Sequence, residues 1–258
     1  MRLSLNDPNA VRGYKSRSQI VRILTENWFE ENMYCPACGN LSVRRCKDNT
    51  PLIDFWCEDC NKFFQLKSRG TPLGSKVVDA AHNTMIQAII SNKIPNFFFL
   101  HYVPDKLMVH DLVAVPNYFI GVEHIEKRKP LPPTARRAGW VGCNILFGNI
   151  PKEGRISVIQ NGSIRIKEKV VKQWADFDFI SKQRIENRGW IYDILICINR
   201  LGKEQFTLSE LYGFEELLSH KHPTNFNIKP KIRQQLQILR DKGLLRFERP
   251  GEYRRLWK

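Results

Sequence analysis

The chain has 258 residues, of which 42% are hydrophobic, so it can bury a substantial core and general disorder is disfavoured. Lys and Arg (41) outnumber Asp and Glu (26), and the formal net charge of +15 indicates a polyanionic partner, either nucleic acid or an acidic membrane surface. The N-terminus lacks an apolar signal-peptide core, and no stretch approaches the ~20 apolar residues that span a bilayer, so secretion and membrane spanning are disfavoured.

The first half of the sequence alternates between helical and strand patterns. Apolar residues recur at helical spacing over residues 18–28, which predicts an amphipathic helix. Residues 51–57 (PLIDFWC) and 62–68 (KFFQLKS) predict two strands on either side of a tight turn. Residues 77–91 predict a buried helix, and residues 96–103 (NFFFLHYV) predict a central strand covered on both faces. This mixture predicts an α/β or α+β domain.

Two stretches without a periodic pattern interrupt this order. Residues 127–140 are rich in Pro and Arg and predict an ordered loop or an exposed arm. Residues 176–189 are polar, and we interpret them as a linker. They divide the chain into a first domain at residues 1–182 and a second at residues 183–258.

The C-terminal part predicts three helices followed by a hairpin, which is the order of a winged helix-turn-helix. The second helix opens with a capping box, TLSE, at residues 207–210. Asn227 is expected to cap the third helix and Gly243 to end it. A strand–turn–strand pattern surrounds residues 249–251. The apolar residues that mark the first and third helices are Trp190, Ile194, Ile198, Ile228, Ile232, Leu236 and Leu239.

Four of the seven cysteines form two CxxC pairs separated by 18 residues. Such pairs can present four thiolates to one tetrahedral zinc ion, and a closed four-cysteine site is usually structural. The pairing favours metal binding in a reducing compartment over a disulfide framework, so we expect a structural Zn²⁺ and a cytoplasmic protein. The six histidines show no metal-binding spacing. The predicted zinc ligands are Cys35, Cys38, Cys57 and Cys60.

Asp54, Gln65 and Lys67 form a candidate site for a metal-dependent nuclease. Gln65 and Lys67 lie two apart, so on a strand both project from the same face. Carboxylate and carbonyl oxygens suit Mg²⁺, and a lysine beside them can orient water or stabilise negative charge. Taken alone the pattern is weak, and a polar strand face with an exposed lysine is the alternative. A zinc ion at the turn of the same hairpin would hold Asp54 near the other two residues.

Five blocks of the sequence are specific: SRSQIVRILTENW, CPACGN, IPNFFFLHY, RKPLPPTARRAGWVGCNI and KIRQQLQILRDKG. They resemble the DpnI family of methyl-directed restriction endonucleases over nearly the whole chain. The resemblance implies a PD-(D/E)xK catalytic domain with an inserted zinc site, followed by a winged helix. It also implies Mg²⁺-dependent cleavage of duplex DNA at GATC when adenine carries an N6-methyl group. Asp54 and Lys67 match the family's metal-binding aspartate and motif lysine, whereas Gln65 stands where the family has glutamate and removes one negative charge.

Trp140 is the candidate reader of the methyl group, since it lies in one of these blocks and offers a flat apolar face; a core tryptophan is the alternative. Burying one methyl group contributes only about 0.8 kcal/mol, so strong discrimination needs both strands' methyl groups or polar groups left unsatisfied without them. Arg136 and Arg137 are expected to bind phosphate.

Residues 221–258 contain eleven Lys or Arg and three Asp or Glu, which predicts DNA binding by the winged helix. Its candidate contacts, to base edges or to phosphates alone, are Lys231, Arg233, Gln234 and Gln237.

Two other functions stay open. Because Gln65 replaces an acidic residue, the protein could be a non-cleaving zinc-ribbon and winged-helix reader of methylated DNA, for example a regulator. It could also be a nuclease with an Mrr-like preference for modified DNA and a different target sequence. The sequence contains no GxxxxGK[ST] motif, so we expect no nucleotide cofactor. We expect a monomer or a transient dimer on DNA.

Overall fold

The structure is a computed structural model that describes residues 1–47, 50 and 52–257. Pro51 and Lys258, which belong to a predicted strand and to the predicted second domain, lie outside the described residues. The chain forms two compact units, one made of residues 1–150 with 154–175 and the other of residues 151–153 with those from 176 onward. Within the described part, no helix is both long and apolar enough to cross a bilayer.

Up to residue 177, the described chain has three α-helices interspersed among ten strands. The helices are α1 (Arg17–Asn32), α2 (His82–Ile90) and α3 (Lys167–Phe177). The strands are β1 (Arg44–Arg45), β2 (Phe55–Trp56), β3 (Phe63–Arg69), β4 (Val77–Ala81), β5 (Asn96–Val103), β6 (Met108–Val115), β7 (Ile125–Lys127), β8 (Gly142–Ile145), β9 (Ile156–Gln160) and β10 (Ser163–Ile164).

A seven-stranded sheet in the order β1-β2-β3-β5-β6-β9-β10 forms the centre of the first unit. Strands β3 and β5 pair in parallel, because the connection between them includes α2, and the other neighbours are antiparallel. A smaller sheet has the order β4-β8-β7. The mixed α/β class predicted from the sequence is therefore confirmed.

Helix α1 covers one face of the large sheet. Leu24 and Trp28, which belong to the predicted helical pattern, are buried, and so is Phe29 just beyond the predicted range. The Phe29 ring lies 4.5 Å from the ring of Phe55 and 4.7 Å from that of Phe98, centroid to centroid. Strand β5 is buried at every residue except its last, which confirms the predicted central strand. The phenylalanine side chains of β5 therefore pack into the core on both faces of the large sheet.

Residues 77–91 form two elements, so the prediction of one helix was wrong in its first third. Val77–Ala81 is strand β4, which pairs with β8, and the helix begins at His82. The β-branched pair Val77 and Val78 favours an extended backbone, and the pairing with β8 secures it. The first strand of the predicted hairpin is also shorter than expected, with only Phe55–Trp56 in the ladder.

The polar segment 176–189 contains regular structure. Asp178–Lys182 form a 3-10 helix in which Phe179 and Ile180 are buried. The burial of two apolar side chains can stabilise a short turn. The polar composition of the segment therefore did not predict this element.

The second unit has the elements of a winged helix-turn-helix. They are α4 (Ile185–Leu201), β11 (Gln205–Thr207), α5 (Leu208–Tyr212), α6 (Glu215–Lys221), α7 (Ile228–Asp241), β12 (Leu245–Arg249) and β13 (Glu252–Arg255). The three strands form a sheet in the order β11-β13-β12, and β11 was not predicted from the sequence. All seven apolar residues predicted for the first and third helices are buried, which confirms the pattern.

The predicted ends of these helices are mostly confirmed. The Thr207 hydroxyl accepts a hydrogen bond from the Glu210 amide (3.2 Å), and the Glu210 carboxylate accepts one from the Thr207 amide (2.8 Å). Gly243 follows α7 with a left-handed φ of 70°, a conformation that glycine adopts without strain. Asn227 is the N-cap residue of α7, as predicted, but its side chain makes no capping hydrogen bond to the described helix.

Asp193 on α4 ties the end of α6 to the core of the second unit. Its Oδ2 lies 2.8 Å from His222 Nε2, and its Oδ1 pairs with Lys221. The ring of Trp190 stacks on His222 at 3.8 Å between centroids. Burial alone would raise the pKa of Asp193, but the hydrogen bonds from His222 and Lys221 outweigh burial and lower that pKa below its ordinary value.

We expect Asp193→Asn to lower the free energy of unfolding by about 1–3 kcal/mol at pH 7, because a charged hydrogen-bond acceptor is lost. A lowered pKa in the folded state contributes stability above the unfolded pKa of about 4, and this stability is lost as the pH falls below it. Denaturant unfolding at pH 7 and pH 3 should therefore show a difference between wild type and variant that shrinks in acid. Asp241→Asn, at an exposed site, is the matched control and should change the free energy by less than about 0.5 kcal/mol. A difference independent of pH would contradict this role of the carboxylate.

Candidate functional site

The two CxxC segments form matching turns. In each, the carbonyl of the first cysteine accepts a hydrogen bond from the amide four residues later, from Gly39 to Cys35 (2.8 Å) and from Asn61 to Cys57 (2.9 Å). Gly39 and Asn61 both have left-handed backbones, with φ of 80° and 54°. The equivalent turns explain why both segments direct their sulfurs in the same way.

The four sulfurs converge as the sequence predicted. Cys35 Sγ lies 3.6 Å from Cys60 Sγ, and Cys38 Sγ lies 3.6 Å from Cys57 Sγ. All four sulfur atoms lie within 4.8 Å of one another. A tetrahedron with Zn–S bonds of about 2.3 Å has edges of about 3.8 Å, so the cluster could hold one zinc ion.

The hairpin of β2 and β3 places Asp54 beside Gln65. Phe55 pairs with Phe64 in the antiparallel register, so the position before Phe55 faces Gln65. The Asp54 amide donates to the Phe64 carbonyl (2.9 Å), and Asp54 Oδ2 accepts a hydrogen bond from the Leu66 amide (2.8 Å). These bonds fix the Asp54 carboxylate at the start of β2.

Gln65 and Lys67 lie on one face of β3, opposite Leu66, which packs against the core beneath α1. Gln65 is 8% exposed, and no described residue donates a hydrogen bond to its Oε1. A buried carbonyl oxygen without a donor is unfavourable unless another partner, such as a cation, satisfies it. The donor set of Asp54 and Gln65 therefore fits an oxygen-preferring ion such as Mg²⁺.

Asp79 on β4 is a site residue that the sequence did not reveal. Its carboxylate forms an ion pair with the Lys67 ammonium, and its side chain has no exposed surface. The sequence pattern predicts one helix over residues 77–91, so it gives Asp79 no role in the site. In the structure, Val77 and Asp79 are buried while Val78 is exposed, an alternation that the sequence Val-Val-Asp does not show.

The surroundings of Asp54 favour a nearby positive charge. Burial raises the pKa of Asp54, and Glu26 on α1 raises it further, while the Leu66 amide and Lys67 act in the opposite direction. A cavity of about 90 Å³ lies beside Asp54 and is also lined by Glu26 and Arg45. A cation held at Asp54 would relieve the repulsion between the two carboxylates.

Trp140 lies on a surface loop and is half-buried, so it is not a core tryptophan. The loop is closed by hydrogen bonds from the Leu131 amide to the Trp140 carbonyl (2.9 Å) and from the Gly139 amide to the Leu131 carbonyl (3.0 Å). A Cβ at Gly142 would approach the Trp140 ring to 2.7 Å, so any larger residue there would displace the ring. The Arg137 guanidinium lies over the ring, 4.9 Å from its centroid. Arg136 and Arg137 are exposed, and with Trp140 they form a cationic and aromatic surface.

Helix α7 presents the predicted polar residues of the second unit. Arg233, Gln234 and Gln237 are exposed, whereas Lys231 is half-buried with its ammonium 5.9 Å from the ring centroid of Trp190. Arg233 donates a hydrogen bond to the Tyr212 hydroxyl (2.7 Å). Of the four predicted residues, Arg233, Gln234 and Gln237 are therefore the more exposed.

Comparison with protein families covers almost the whole chain. The model of the Dam-replacing family, DpnI, matches residues 1–183, and the model of the Dam-replacing HTH domain matches residues 186–255. The first match includes the four-cysteine cluster and the hairpin of Asp54, Gln65 and Lys67, and the second includes helix α7. The chain therefore belongs to the DpnI, or Dam-replacing, family and carries that family's DNA-binding HTH domain.

Proposed function

We propose that this protein is a type II site-specific deoxyribonuclease that hydrolyses duplex DNA at GATC sites carrying N6-methyladenine. Residues 1–182 would form its PD-(D/E)xK catalytic domain and residues 183–258 its winged-helix DNA-binding domain. The observation that carries the proposal is the hairpin that brings Asp54 beside Gln65 with Lys67 on the same strand face. The family match adds support, and the excess of basic residues suits a DNA substrate.

Asp54 and Gln65 would hold the catalytic Mg²⁺, with carboxylate and amide oxygens as ligands. When bound, the ion would supply Lewis-acid stabilisation of the negative charge that develops on the scissile phosphate. Gln65 offers a carbonyl oxygen in place of a carboxylate, so this chain contributes one negative charge fewer than a site with glutamate. We expect its affinity for Mg²⁺ to be correspondingly lower.

Lys67 would orient the attacking water or stabilise the transition-state charge directly. Its ion pair with Asp79 restricts the ammonium to one position on the face shared with Gln65. Asp79 also keeps a negative charge next to the site, although Gln65 is neutral. We assign Asp79 as a positioning residue for Lys67.

Removing the Asp79 charge should slow cleavage without weakening DNA binding. We expect Asp79→Asn to reduce the single-turnover cleavage rate about 10- to 100-fold, in the range seen when an orienting partner of an active-site group is removed. Asp79→Glu, which keeps a carboxylate, should recover part of the rate. Asp105→Asn, on the exposed turn after β5, is the control and should cleave like wild type. Equal rates for Asp79→Asn and wild type would contradict the positioning role.

Trp140 would provide the apolar wall against the N6-methyl group in the major groove. The Arg137 guanidinium over its ring, with Arg136 beside it in sequence, would place cationic groups near the phosphates. On α7, Lys231, Arg233, Gln234 and Gln237 would contact the same DNA, by base edges or by phosphates.

We also infer that Cys35, Cys38, Cys57 and Cys60 bind a structural Zn²⁺, that the protein is cytoplasmic and uses no nucleotide cofactor, and that it acts as a monomer or as a transient dimer on DNA. The zinc inference rests on the sulfur geometry.

The first test is cleavage of one plasmid, prepared with and without adenine methylation at GATC, in the presence of Mg²⁺. We expect discrete fragments from the methylated plasmid only. Cleavage of both plasmids would contradict the methyl dependence, and fragments unrelated to GATC would indicate another target sequence.

The neutral Gln65 supports a second candidate, a reader of methylated DNA that does not cleave it. In that case neither plasmid is cut, and the methylated duplex is still bound preferentially. A Gln65→Glu variant that gains cleavage from none would then show that glutamine inactivates an otherwise complete site.

A further inference from the structure

A second group of metal-ligating side chains lies on the central sheet, away from the four cysteines. His101 on β5 pairs directly with Asp111 on β6, and His110 precedes Asp111. One ligand atom from each of these three residues lies within 4.8 Å of the other two. Sequence spacing did not reveal the group, because the pairing of two strands assembles it.

A β-bulge brings the two histidines to the same side. The register shifts after the pair of His101 and Asp111, so that Tyr102 pairs with Val109 and His110 is left as the extra residue. Consecutive residues of a regular strand project to opposite faces, and a bulge re-aims one of them. His110 Nδ1 and His101 Nδ1 consequently lie 2.7 and 2.9 Å from the same Asp111 oxygen, Oδ2.

The carboxylate is held in position from its other side. The Asn161 amide donates a hydrogen bond to Asp111 Oδ1 (2.9 Å), and the Gly162 amide donates one to the His110 carbonyl (2.7 Å). Hydrogen bonds of this kind orient the ligands of metal sites.

We infer that His101, His110 and Asp111 form a binding site for a divalent transition-metal ion of the zinc type. Two imidazole nitrogens and one carboxylate oxygen are a known ligand set for zinc, whereas Mg²⁺ prefers oxygen ligands alone. In a tetrahedral zinc site with metal–ligand bonds of about 2.0–2.1 Å, two ligand atoms lie about 3.3 Å apart. The distances from His110 Nδ1 and His101 Nδ1 to Asp111 Oδ2, 2.7 and 2.9 Å, would therefore increase only slightly on binding an ion. With the ion bound at Nδ1, each imidazole would carry its proton on Nε2 instead.

The site is accessible to an ion from solvent. The side chain of His110 is 40% exposed and that of Asp111 is 23% exposed, while His101 is 9% exposed and forms the floor. Three protein ligands leave at least one coordination position for water. An ion bound here would cross-link β5 and β6 at the bulge, on the sheet face that also carries Gln65 and Lys67.

The test is a count of zinc ions per chain by elemental analysis, after the full-length protein is equilibrated with excess Zn²⁺ and desalted. We expect two ions in the wild type, one at the cysteines and one at this site, and one ion in His110→Ala and in Asp111→Asn. His220→Ala, which removes an exposed histidine on α6, is the matched control and should keep two.

The exposure of His110 makes its replacement compatible with folding, and a thermal unfolding curve that matches the wild type in the absence of added Zn²⁺ would verify this. A single ion in the wild type would overturn the inference. Two ions in His110→Ala would also overturn it, because the second ion would then lie elsewhere, for example at Asp54. Loss of an ion in the His220→Ala control would show that surface histidines bind zinc without a built site.

Discussion

Replacing Lys67 by alanine is expected to reduce the single-turnover cleavage rate at least about 100-fold while DNA affinity changes little. Groups that stabilise transition-state charge contribute about 10²–10³ in rate when removed singly. The Lys67 ammonium lies on the face of β3 that carries Gln65, with Asp79 as its ion-pair partner. Cleavage of methylated plasmid and binding of methylated duplex, measured on the same preparations, separate the two effects.

The Lys67→Ala variant is also expected to lose stability. The variant leaves the buried Asp79 carboxylate without its cation, and breaking a buried pair in this way costs about 3–5 kcal/mol. The double variant Lys67→Ala with Asp79→Asn removes both charges and should fold more stably while remaining inactive. Lys93→Ala, which removes the charge of an exposed lysine before β5, is the control and should cleave normally. A folded double variant with wild-type activity would refute the role of Lys67.

Removing the zinc ion that we infer at the four-cysteine cluster is expected to unfold the hairpin that carries Asp54, Gln65 and Lys67. Zinc binding contributes roughly 10–16 kcal/mol to the folding of small zinc peptides, which is comparable to the whole stability of a typical domain, about 5–15 kcal/mol. Cys35 and Cys57 are fully buried in the core beneath α1, so loss of an ion bound by the four cysteines would expose that core.

Hydrogen exchange after chelation under reducing conditions, or in a Cys57→Ser variant, would measure this loss by segment. Amides of β2 and β3 should lose protection, whereas those of α4 and α7, in the second unit, should keep it. Cys46→Ser is the matched control, since Cys46 is a half-buried cysteine outside the cluster. Unchanged protection in β2 and β3 after verified zinc removal would show that the cluster does not stabilise the hairpin.

The amino-acid sequence alone determined the local features of this protein. The CxxC pairs, the apolar stripes of α1, α4 and α7, the run of β5 and the capping box of α5 all depend on residues close together in the chain. Their physical causes are local too, namely helical periodicity, continuous burial of a central strand and hydrogen bonds at a helix end. The four-cysteine cluster and the shared face of Gln65 and Lys67 followed from the same short-range rules.

Only the tertiary structure decided the features that depend on distant pairing. Strand β4 forms because Val77 to Ala81 pair with β8, about sixty residues later, and this pairing is what turns Asp79 towards Lys67. The bulge between β5 and β6 assembles His101, His110 and Asp111, although their spacing in the sequence carries no metal-binding pattern. Local propensity cannot specify which strands become neighbours or where a register shifts, because that choice is made by packing of the whole sheet.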